Sequence, residues 1–273
     1  MKTLIRNVRL CDPNGEPVSI VVEDGVIREI GHVGPWAGLE FDGRGLTAIP
    51  GLVDVHVHFR EPGFEYKETV ATGSAAAAAG GFTTVCTMPN LKPAPDSMPN
   101  LRRQLDAIDR GTGIEVLPYA TITRGRIGKE PVDYPELAPY VCAFSDDGSG
   151  IESEDVMREA MKGIARTGKV LAEHCEVMEL VRGGCIHDGD YAREHGLPGI
   201  CSESEWREVE RNIRLAEETG CRLHICHVST KKSVRLIRDA KARGVDVTAE
   251  TGAHYLVSVS YTHLRAHETS LHL

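Results

Sequence analysis

The sequence predicts an α/β protein whose main part is a (β/α)8 TIM barrel, incomplete because strand 8 is missing, with a small β unit before it. Three observations favour this fold class. Apolar, strand-like segments alternate with helix-like segments along most of the chain, and repeated βα units form parallel sheets with helices outside. Several helix-like segments end in glycine, as helix C-caps do. Seven strands follow in one series without a long crossover, which favours a barrel over an open sheet.

The first 50 residues predict the small β unit. Segments 3–8, 19–22 and 26–30 have strand-like composition. They are separated by Asp-Pro-Asn-Gly at 12–15 and Asp-Gly at 24–25, which are turn-forming sequences. The pair Pro50 and Gly51 then interrupts the chain. We therefore expect a partial small β domain over residues 1–50 and the truncated barrel over residues 51–258.

The barrel segment carries the alternating pattern. The predicted strands are 52–58, 82–88, 114–122, 140–146, 169–174, 221–228 and 245–250. The clearest predicted helices are 67–79, 100–109, 155–165, 203–219 and 232–242. Residues 259–273 follow neither pattern and resemble the translation of a sequencing adapter. We expect them to be a non-native tail on a truncated gene product.

Composition and charge exclude several classes of function. The 273 residues include 31 Lys and Arg against 40 Asp and Glu, a net charge of -9, and no basic cluster, so nucleic acid is not an expected partner. No apolar stretch approaches the ~20 residues needed to cross a bilayer, and the N-terminus does not resemble a signal peptide. The eight scattered cysteines indicate reduced thiols and a cytoplasmic location.

The strongest chemical signal lies on the first predicted barrel strand, at Asp54-Val55-His56-Val57-His58. Residues two apart on a strand share a face, so Asp54, His56 and His58 point the same way. Catalytic sites of barrels open at the carboxyl ends of the strands, and two neutral imidazoles there can bind one zinc ion. Asp54 is better placed to orient a ligand than to bind metal. Two ordinary core histidines are the alternative interpretation of this motif alone.

Further strand ends carry metal-ligating residue types. Strand four ends at Asp146 and Asp147, strand five at His174, and strand six at His227. Such recurrence at one edge of the barrel predicts two divalent ions, one held by the first two histidines and one by the last two, because ions ~3.5–4 Å apart can share a bridging carboxylate. Strand parity leaves open whether Asp146 or Asp147 points inward.

Strand parity also predicts the orientation of the neighbours of these residues. His224 is oddly spaced from His227, so we expect it to face the helices. Cys175 and Cys226 each adjoin a candidate ligand, so we expect both thiols to point away from the metals and to act as small buried apolar groups.

These residues resemble a known family. The segments PGLVDVHVHFREPGFEYKET (50–69), GGFTTVCTMPN (80–90), FSDDGSG (144–150), AEHCE (172–176), CHVSTKKSVR (226–235) and VTAETGAHYL (247–256) are similar to those of type I dihydroorotases of the amidohydrolase superfamily, over residues 3 to 258. The resemblance implies a TIM barrel with a β-sandwich of which residues 1–50 form part. It also implies two zinc ions, with Asp147 as the bridging carboxylate. The implied metal ligands are His56, His58, Asp147, His174 and His227.

The resemblance further implies a reaction and its partners. His58, Arg60 and Asn90 would bind the substrate, the latter two through its carboxylate. The reaction would be the reversible closure of N-carbamoyl-L-aspartate to L-dihydroorotate in pyrimidine synthesis. A homodimer or an association with aspartate transcarbamoylase would be a possible assembly, with neither nucleic acid nor membrane as a partner.

Two departures from the family pattern bear on activity. The family carries a metal-binding, proton-shuttling aspartate at strand eight and a substrate-contacting histidine after it, and residues 1–273 offer no counterpart. We therefore expect this chain by itself to be inactive.

One alternative is a related allantoinase or hydantoinase, although such enzymes commonly bridge their metals with a carboxylated lysine. Another is a non-catalytic, dihydroorotase-like scaffold of aspartate transcarbamoylase, although such homologues tend to lose the metal histidines.

Overall fold

A computed structural model describes residues 2–257 of the chain. The chain folds into two compact units, the first ending at Leu52 and the second beginning at Val53. The predicted non-native tail, residues 259–273, lies outside the described residues.

The first unit is a small β-sheet. Its strands are β1 (Lys2–Leu10), β2 (Val18–Glu23), β3 (Val26–Gly31), β4 (Leu39–Asp42) and β5 (Thr47–Ala48). The order is β3-β2-β1-β4, with β5 also paired to β1. The first three strands form the expected antiparallel meander. Strands β4 and β5 were not predicted, because they are short and join β1 in parallel rather than through a local hairpin.

The second unit is built on a parallel sheet. Its strands are β6 (Leu52–Val57), β7 (Phe82–Thr87), β8 (Glu115–Ala120), β9 (Ala143–Ser145), β10 (Val170–Glu173), β11 (Ile186–His187), β12 (Gly199–Ile200), β13 (Arg222–Ile225) and β14 (Val247–Ala249). Seven of them form one sheet in the order β14-β13-β10-β9-β8-β7-β6. The strand pairs from β7 to β14 are parallel. This curled half-barrel confirms the predicted fold class, and β11 and β12 form a separate small pair.

Helices connect the strands as predicted. They are α1 (Val70–Ala79), α2 (Met98–Asp109), α3 (Tyr134–Leu137), α4 (Glu154–Ala165), α5 (Met178–Val181), α6 (Asp190–Glu194), α7 (Glu203–Thr219), α8 (Lys231–Ala242) and α9 (Ala253–Val257), with 3-10 turns at Arg124–Arg126 and Ala138–Tyr140. Helix α1 begins three residues later than predicted because Thr69 caps it. The Thr69 hydroxyl accepts the backbone N–H of Thr72, which satisfies a donor that the first turn leaves free.

The two faces of the sheet bury different side chains. Phe144 and Leu171 pack with Met157 of α4 and Val209 of α7 in the layer between sheet and helices. The opposite face carries a separate cluster of smaller and polarisable side chains: Cys86, Met88, Tyr119, Ala143, Ala172 and Cys226. Leu171 and Ala172 are adjacent in sequence and lie in different clusters, as alternation along a strand requires. Strand parity therefore decides which residues near the strand ends reach the barrel interior.

The length and polarity of the helices in residues 2–257 are the features relevant to a membrane span. None of the helices described there combines the length and the apolar character needed to span a bilayer.

The helix-side core generates a stability prediction. Met157 is fully buried, so Met157→Ala should lower the free energy of unfolding by about 2–5 kcal/mol through lost packing and a residual cavity. Met178 is 52% exposed, so Met178→Ala is a matched control expected within about 0.5 kcal/mol of the parent. Urea unfolding followed by circular dichroism measures both. Equal midpoints for the two variants would contradict the packing described here.

Candidate metal centre

Side chains from four strand ends converge at the carboxyl edge of the half-barrel. His56 lies on β6 and His58 just beyond it, while Asp147, His174 and His227 follow β9, β10 and β13. Parallel strands present their carboxyl ends at the same edge of a sheet. The sheet therefore brings together residues from four distant parts of the chain.

Asp147 is the centre of this cluster. Its Oδ1 atom lies 3.5 Å from His56 Nε2, 3.5 Å from His227 Nε2 and 3.7 Å from His174 Nδ1. Its Oδ2 atom lies 3.7 Å from His58 Nε2. One carboxylate thus faces four imidazoles. The side chains of Asp147 and the imidazoles are largely shielded from solvent, with Asp147 itself 4% exposed.

The donor atoms fit a divalent cation. Ligand atoms held at 2.0–2.2 Å around a tetrahedral zinc ion lie about 3.4 Å from one another, which is close to the separations between Asp147 and the imidazoles. The ligand atoms of His56, Asp147 and His227 all lie within 4.8 Å of one another. Imidazole and carboxylate are donors that zinc accepts readily. The residues are therefore suited to the kind of metal that the sequence predicts.

The electrostatics of Asp147 favour its ionised form. Burial raises the pKa of its carboxyl group, but contacts with His174, His227 and Asn90, together with the charge on His56, outweigh burial. The pKa consequently lies far below the usual range for aspartate. Asp147 therefore offers a permanent negative charge to any cation in this cluster.

The imidazoles differ in their surroundings. Burial lowers the pKa of His58 to about 4, with the charges on Arg60 and His56 acting in the same direction and Asp147 opposing them. His58 is thus neutral, which is the form that binds a metal. Burial also lowers the pKa of His56 and His174, but neighbouring carboxylates outweigh it and raise both. The carboxylates that attract protons to these two rings would attract a metal ion equally.

Of the two adjacent aspartates, only Asp147 faces the imidazoles. Asp146 accepts the backbone N–H groups of Ile122 and Thr123 and the Thr123 hydroxyl. Burial raises the pKa of Asp146 to about 6, against these hydrogen bonds and Arg126. Asp146 therefore fixes the loop after β8 against β9. Strand parity left open which of the two aspartates points inward, and in the structure it is Asp147.

The two residues predicted to bind a substrate carboxylate, Arg60 and Asn90, differ in their hydrogen bonding. Among residues 2–257, the Arg60 guanidinium forms no hydrogen bond or ion pair, and Arg60 adopts a left-handed backbone conformation with φ of 33°. Asn90 is fully engaged instead. Its Nδ2 donates to the Asp147 carbonyl at 2.8 Å and to Asp147 Oδ2 at 2.9 Å, and its Oδ1 contacts His58 Nδ1 at 2.9 Å. Asn90 thus orients two of the candidate metal ligands.

Sequence reasoning missed three residues of the site. Glu250 contacts His56, His224 contacts Glu250, and Arg126 donates to the Asp147 carbonyl at 2.6 Å with its Nε buried and unpaired among the described residues. The signal for Glu250 was a carboxylate at the end of a seventh strand. Within residues 2–257, Asp54, which was expected to orient a ligand, accepts a hydrogen bond only from the backbone N–H of His56.

Two orientations predicted from parity are wrong. His224 was expected to face the helices and Cys226 to point away from the metals. Instead, His224 bonds to Glu250, and the Cys226 thiol lies within 4.8 Å of ligand atoms of His56 and Glu250. The reason is that β13 ends at Ile225 and His227 has a φ of 36°. Alternation holds up to Cys226 and is broken at His227 itself. Cys175, by contrast, packs on the helix side as expected.

Open space borders the cluster on two sides. One cavity of about 580 Å³ is lined by His56, His58, His227 and Glu250 together with the loop after β14. Another of about 780 Å³ is lined by His174 and His227 and reaches the β11–β12 segment. Both volumes suit small ligands, and His227 lies between them. A small molecule can therefore approach the imidazoles.

The cluster generates a prediction that separates the two aspartates. Asp147→Asn should lose most of the bound divalent metal because it removes the charge shared by four imidazoles. Asp146→Asn should retain metal but be less stable by about 1–3 kcal/mol, since it weakens buried hydrogen bonds. Plasma emission analysis of metal content after dialysis and thermal unfolding check these outcomes. Equal metal content in the two variants would contradict the central position of Asp147.

Comparisons with known proteins agree with this architecture. The sequence profile of the family described as "Dihydro-orotase-like" matches residues 45–233. The dihydroorotase of Bacillus licheniformis is 46% identical over 261 residues, covering 94% of this chain and 61% of that protein. That of Staphylococcus aureus strain MRSA252 is 46% identical over 259 residues, covering 93% and 61%. The chain thus spans about 61% of the length of these curated relatives.

Solved structures agree on the fold. The L-hydantoinase (dihydropyrimidinase) from Arthrobacter aurescens superposes with a TM-score of 0.77 at 24% identity, covering 94% of this chain and 59% of that one. A D-hydantoinase gives a TM-score of 0.77 at 22% identity, covering 97% and 60%. At these identities the likeness concerns the fold alone. The profile match over residues 45–233 shows that the chain belongs to the dihydroorotase-like family.

Proposed function

We propose that this chain provides the metal centre and part of the substrate site of a dihydroorotase. The reaction is the reversible closure of N-carbamoyl-L-aspartate to L-dihydroorotate. The observation that carries the proposal is the placement of four imidazoles around Asp147, with the free guanidinium of Arg60 two residues beyond His58. Membership of the dihydroorotase-like family supports the same assignment.

We assign the metal ligands as the sequence predicts them. His56 and His58 would hold one zinc ion, His174 and His227 would hold a second, and Asp147 would serve both. Divalent ions bound here would lower the pKa of water and polarise the carbonyl of a cyclic amide. The protein contributes the buried, permanently charged Asp147 carboxylate and the neutral His58 ring that such ions require.

Recognition of the substrate falls to the groups beside the metals. A planar guanidinium binds a carboxylate through two parallel hydrogen bonds, and Arg60 has no competing partner among the described residues. The amide of Asn90 is bonded to Asp147 and His58, so Asn90 would hold these two candidate ligands in place beside the substrate. Together with His58, which lines one of the two cavities, Arg60 would favour a ring that carries a carboxylate.

Two alternatives give different expectations. A hydantoinase-type activity is supported by the fold likeness alone, and the Arg60 cation has no role with an unsubstituted hydantoin. A scaffold of aspartate transcarbamoylase would need no metal, whereas four imidazoles face Asp147 here. Association with that enzyme, homodimer formation and a cytoplasmic location remain predictions from the sequence.

Substrate choice is tested through Arg60. In a protein that carries this chain, Arg60→Gln should lower kcat/KM for L-dihydroorotate about tenfold to a hundredfold, because a charge-assisted pair is lost. Any turnover of unsubstituted hydantoin should be unaffected, since that ring has no carboxylate. Parallel steady-state assays of the two substrates check this. Preference for hydantoin, or indifference of dihydroorotate turnover to Arg60, would favour the alternative activity.

The metal centre is tested through His174. In the same protein, His174→Ala should abolish closure of the substrate ring. Circular dichroism should show the fold retained, because the His174 side chain lines the cavity and is not part of the helix-side core. His195→Ala serves as the control, since the His195 ring bonds to the Tyr191 carbonyl and stacks on the Tyr191 ring, away from the imidazole cluster. Near-normal activity of the His174 variant would refute the two-metal assignment.

A further inference from the structure

Glu250 ties together two segments that carry candidate metal ligands. It follows β14, and its Oε1 atom lies 2.5 Å from Nδ1 of His56 and 3.3 Å from the backbone N–H of His227, which donates to it. The main chain of Glu250 also bonds to this segment, because its carbonyl accepts the backbone N–H of Val228 and its N–H donates to the carbonyl of Ile225. One residue thus joins the β6 histidine to the loop that presents His227.

The hydrogen bond to Glu250 determines which nitrogen of His56 faces the metal. An ionised carboxylate can only accept, so Nδ1 of His56 carries the proton and donates to Oε1. In the neutral form of the ring, which is the form that binds a metal, the other nitrogen, Nε2, is then unprotonated, and it is the atom that lies 3.5 Å from Asp147 Oδ1. The lone pair of His56 therefore points into the cluster of imidazoles.

A second histidine holds Glu250 from behind. His224 Nε2 lies 3.2 Å from Glu250 Oε2, and His224 Nδ1 lies 2.8 Å from the Thr248 hydroxyl. These contacts are all satisfied when Thr248 donates to Nδ1 and Nε2–H donates to the carboxylate. The chain of contacts runs from Thr248 through His224 and Glu250 to His56. The proposed function assigns no role to Thr248, His224 or Glu250.

We propose that Glu250, held by His224 and Thr248, is a positioning residue that fixes the tautomer and orientation of His56 for a metal ion beside Asp147. The inference rests on the proposed function, because the ion is the one that His56 would hold there. Carboxylates that accept the distal N–H of a ligating histidine orient the ring and increase its basicity, and their loss typically lowers metal affinity about 10–100-fold.

The same contacts allow a competing arrangement. Ligand atoms of His56, Cys226 and Glu250 also lie within 4.8 Å of one another. In that arrangement Glu250 would bind a metal directly, with the Cys226 thiolate as a further ligand. The two arrangements differ in a measurable way, because a thiolate ligand gives Co²⁺ an intense near-ultraviolet charge-transfer band that imidazole and carboxylate ligands do not.

The experiment measures Zn²⁺ affinity of the 273-residue chain by competition with a chromophoric chelator. Glu250→Ala should weaken binding about 10–100-fold, and Glu250→Gln should recover most of the affinity because the amide oxygen still accepts from His56. Glu250→Asp keeps the charge but cannot span His56 and His224, so it should resemble the alanine variant. Glu154→Ala, which removes a carboxylate bonded to Arg158 and Arg214 on the helical surface, should bind like the parent.

The controls separate failure of this inference from failure of the proposed function. His56→Ala must weaken Zn²⁺ binding if the metal centre is where we place it, and an unchanged affinity would overturn that placement. Weakened binding in His56→Ala with parental affinity in Glu250→Ala and Glu250→Asp would overturn the positioning role alone. If Glu250→Ala does not fold, the contrast between Glu250→Asp and Glu250→Gln decides.

The Co²⁺-substituted chain provides the spectroscopic readout. The positioning role predicts ligand-field bands without a charge-transfer band that depends on Cys226. A near-ultraviolet band that disappears in Cys226→Ser would show Glu250 and Cys226 acting as ligands and would overturn the proposal.

Discussion

The structure of this edge of the half-barrel depends on one buried charge, the carboxylate of Asp147. Burying an unpaired carboxylate costs several kcal/mol or more, so the surroundings must compensate for it. One amide donation from Asn90 Nδ2 to Asp147 Oδ2 at 2.9 Å and four imidazoles at 3.5–3.7 Å do so. The compensating groups come from several different strand ends, so the charge can be accommodated only when the strands have assembled in the right order.

The loops that present the imidazoles are themselves held by carboxylates. Glu208 of α7 accepts the backbone N–H of Glu176, two residues after His174, and is bonded to Arg211. Glu205 of the same helix accepts from Ser229 and Thr230, just after His227. Glu250 holds His56. The orientation of the ligands is therefore set by hydrogen bonds outside the cluster, which is how metal sites generally fix their ligands.

The metal ligands that the sequence predicts lie on a strand or within two residues of its end. His56 and His58 share a face because β6 alternates up to Val57, and the predicted strands and helices agree with the structure to within a few residues. Prediction by parity failed where regular geometry ends. Because the positive φ of His227 breaks the alternation, counting back from His227 gave the wrong orientations for His224 and Cys226. Glu250 was missed because its role arises from a contact 194 residues away in sequence, which no local pattern encodes.

The most direct measurement of the central claim is anomalous diffraction at the zinc absorption edge from crystals of the protein grown with Zn²⁺. We expect anomalous density between the Asp147 carboxylate and the nitrogen atoms of the surrounding imidazoles, with Nε2 of His56 directed at it. Zinc located elsewhere, or an Asp147 carboxylate without a metal in contact at full zinc occupancy of the crystal, would contradict it.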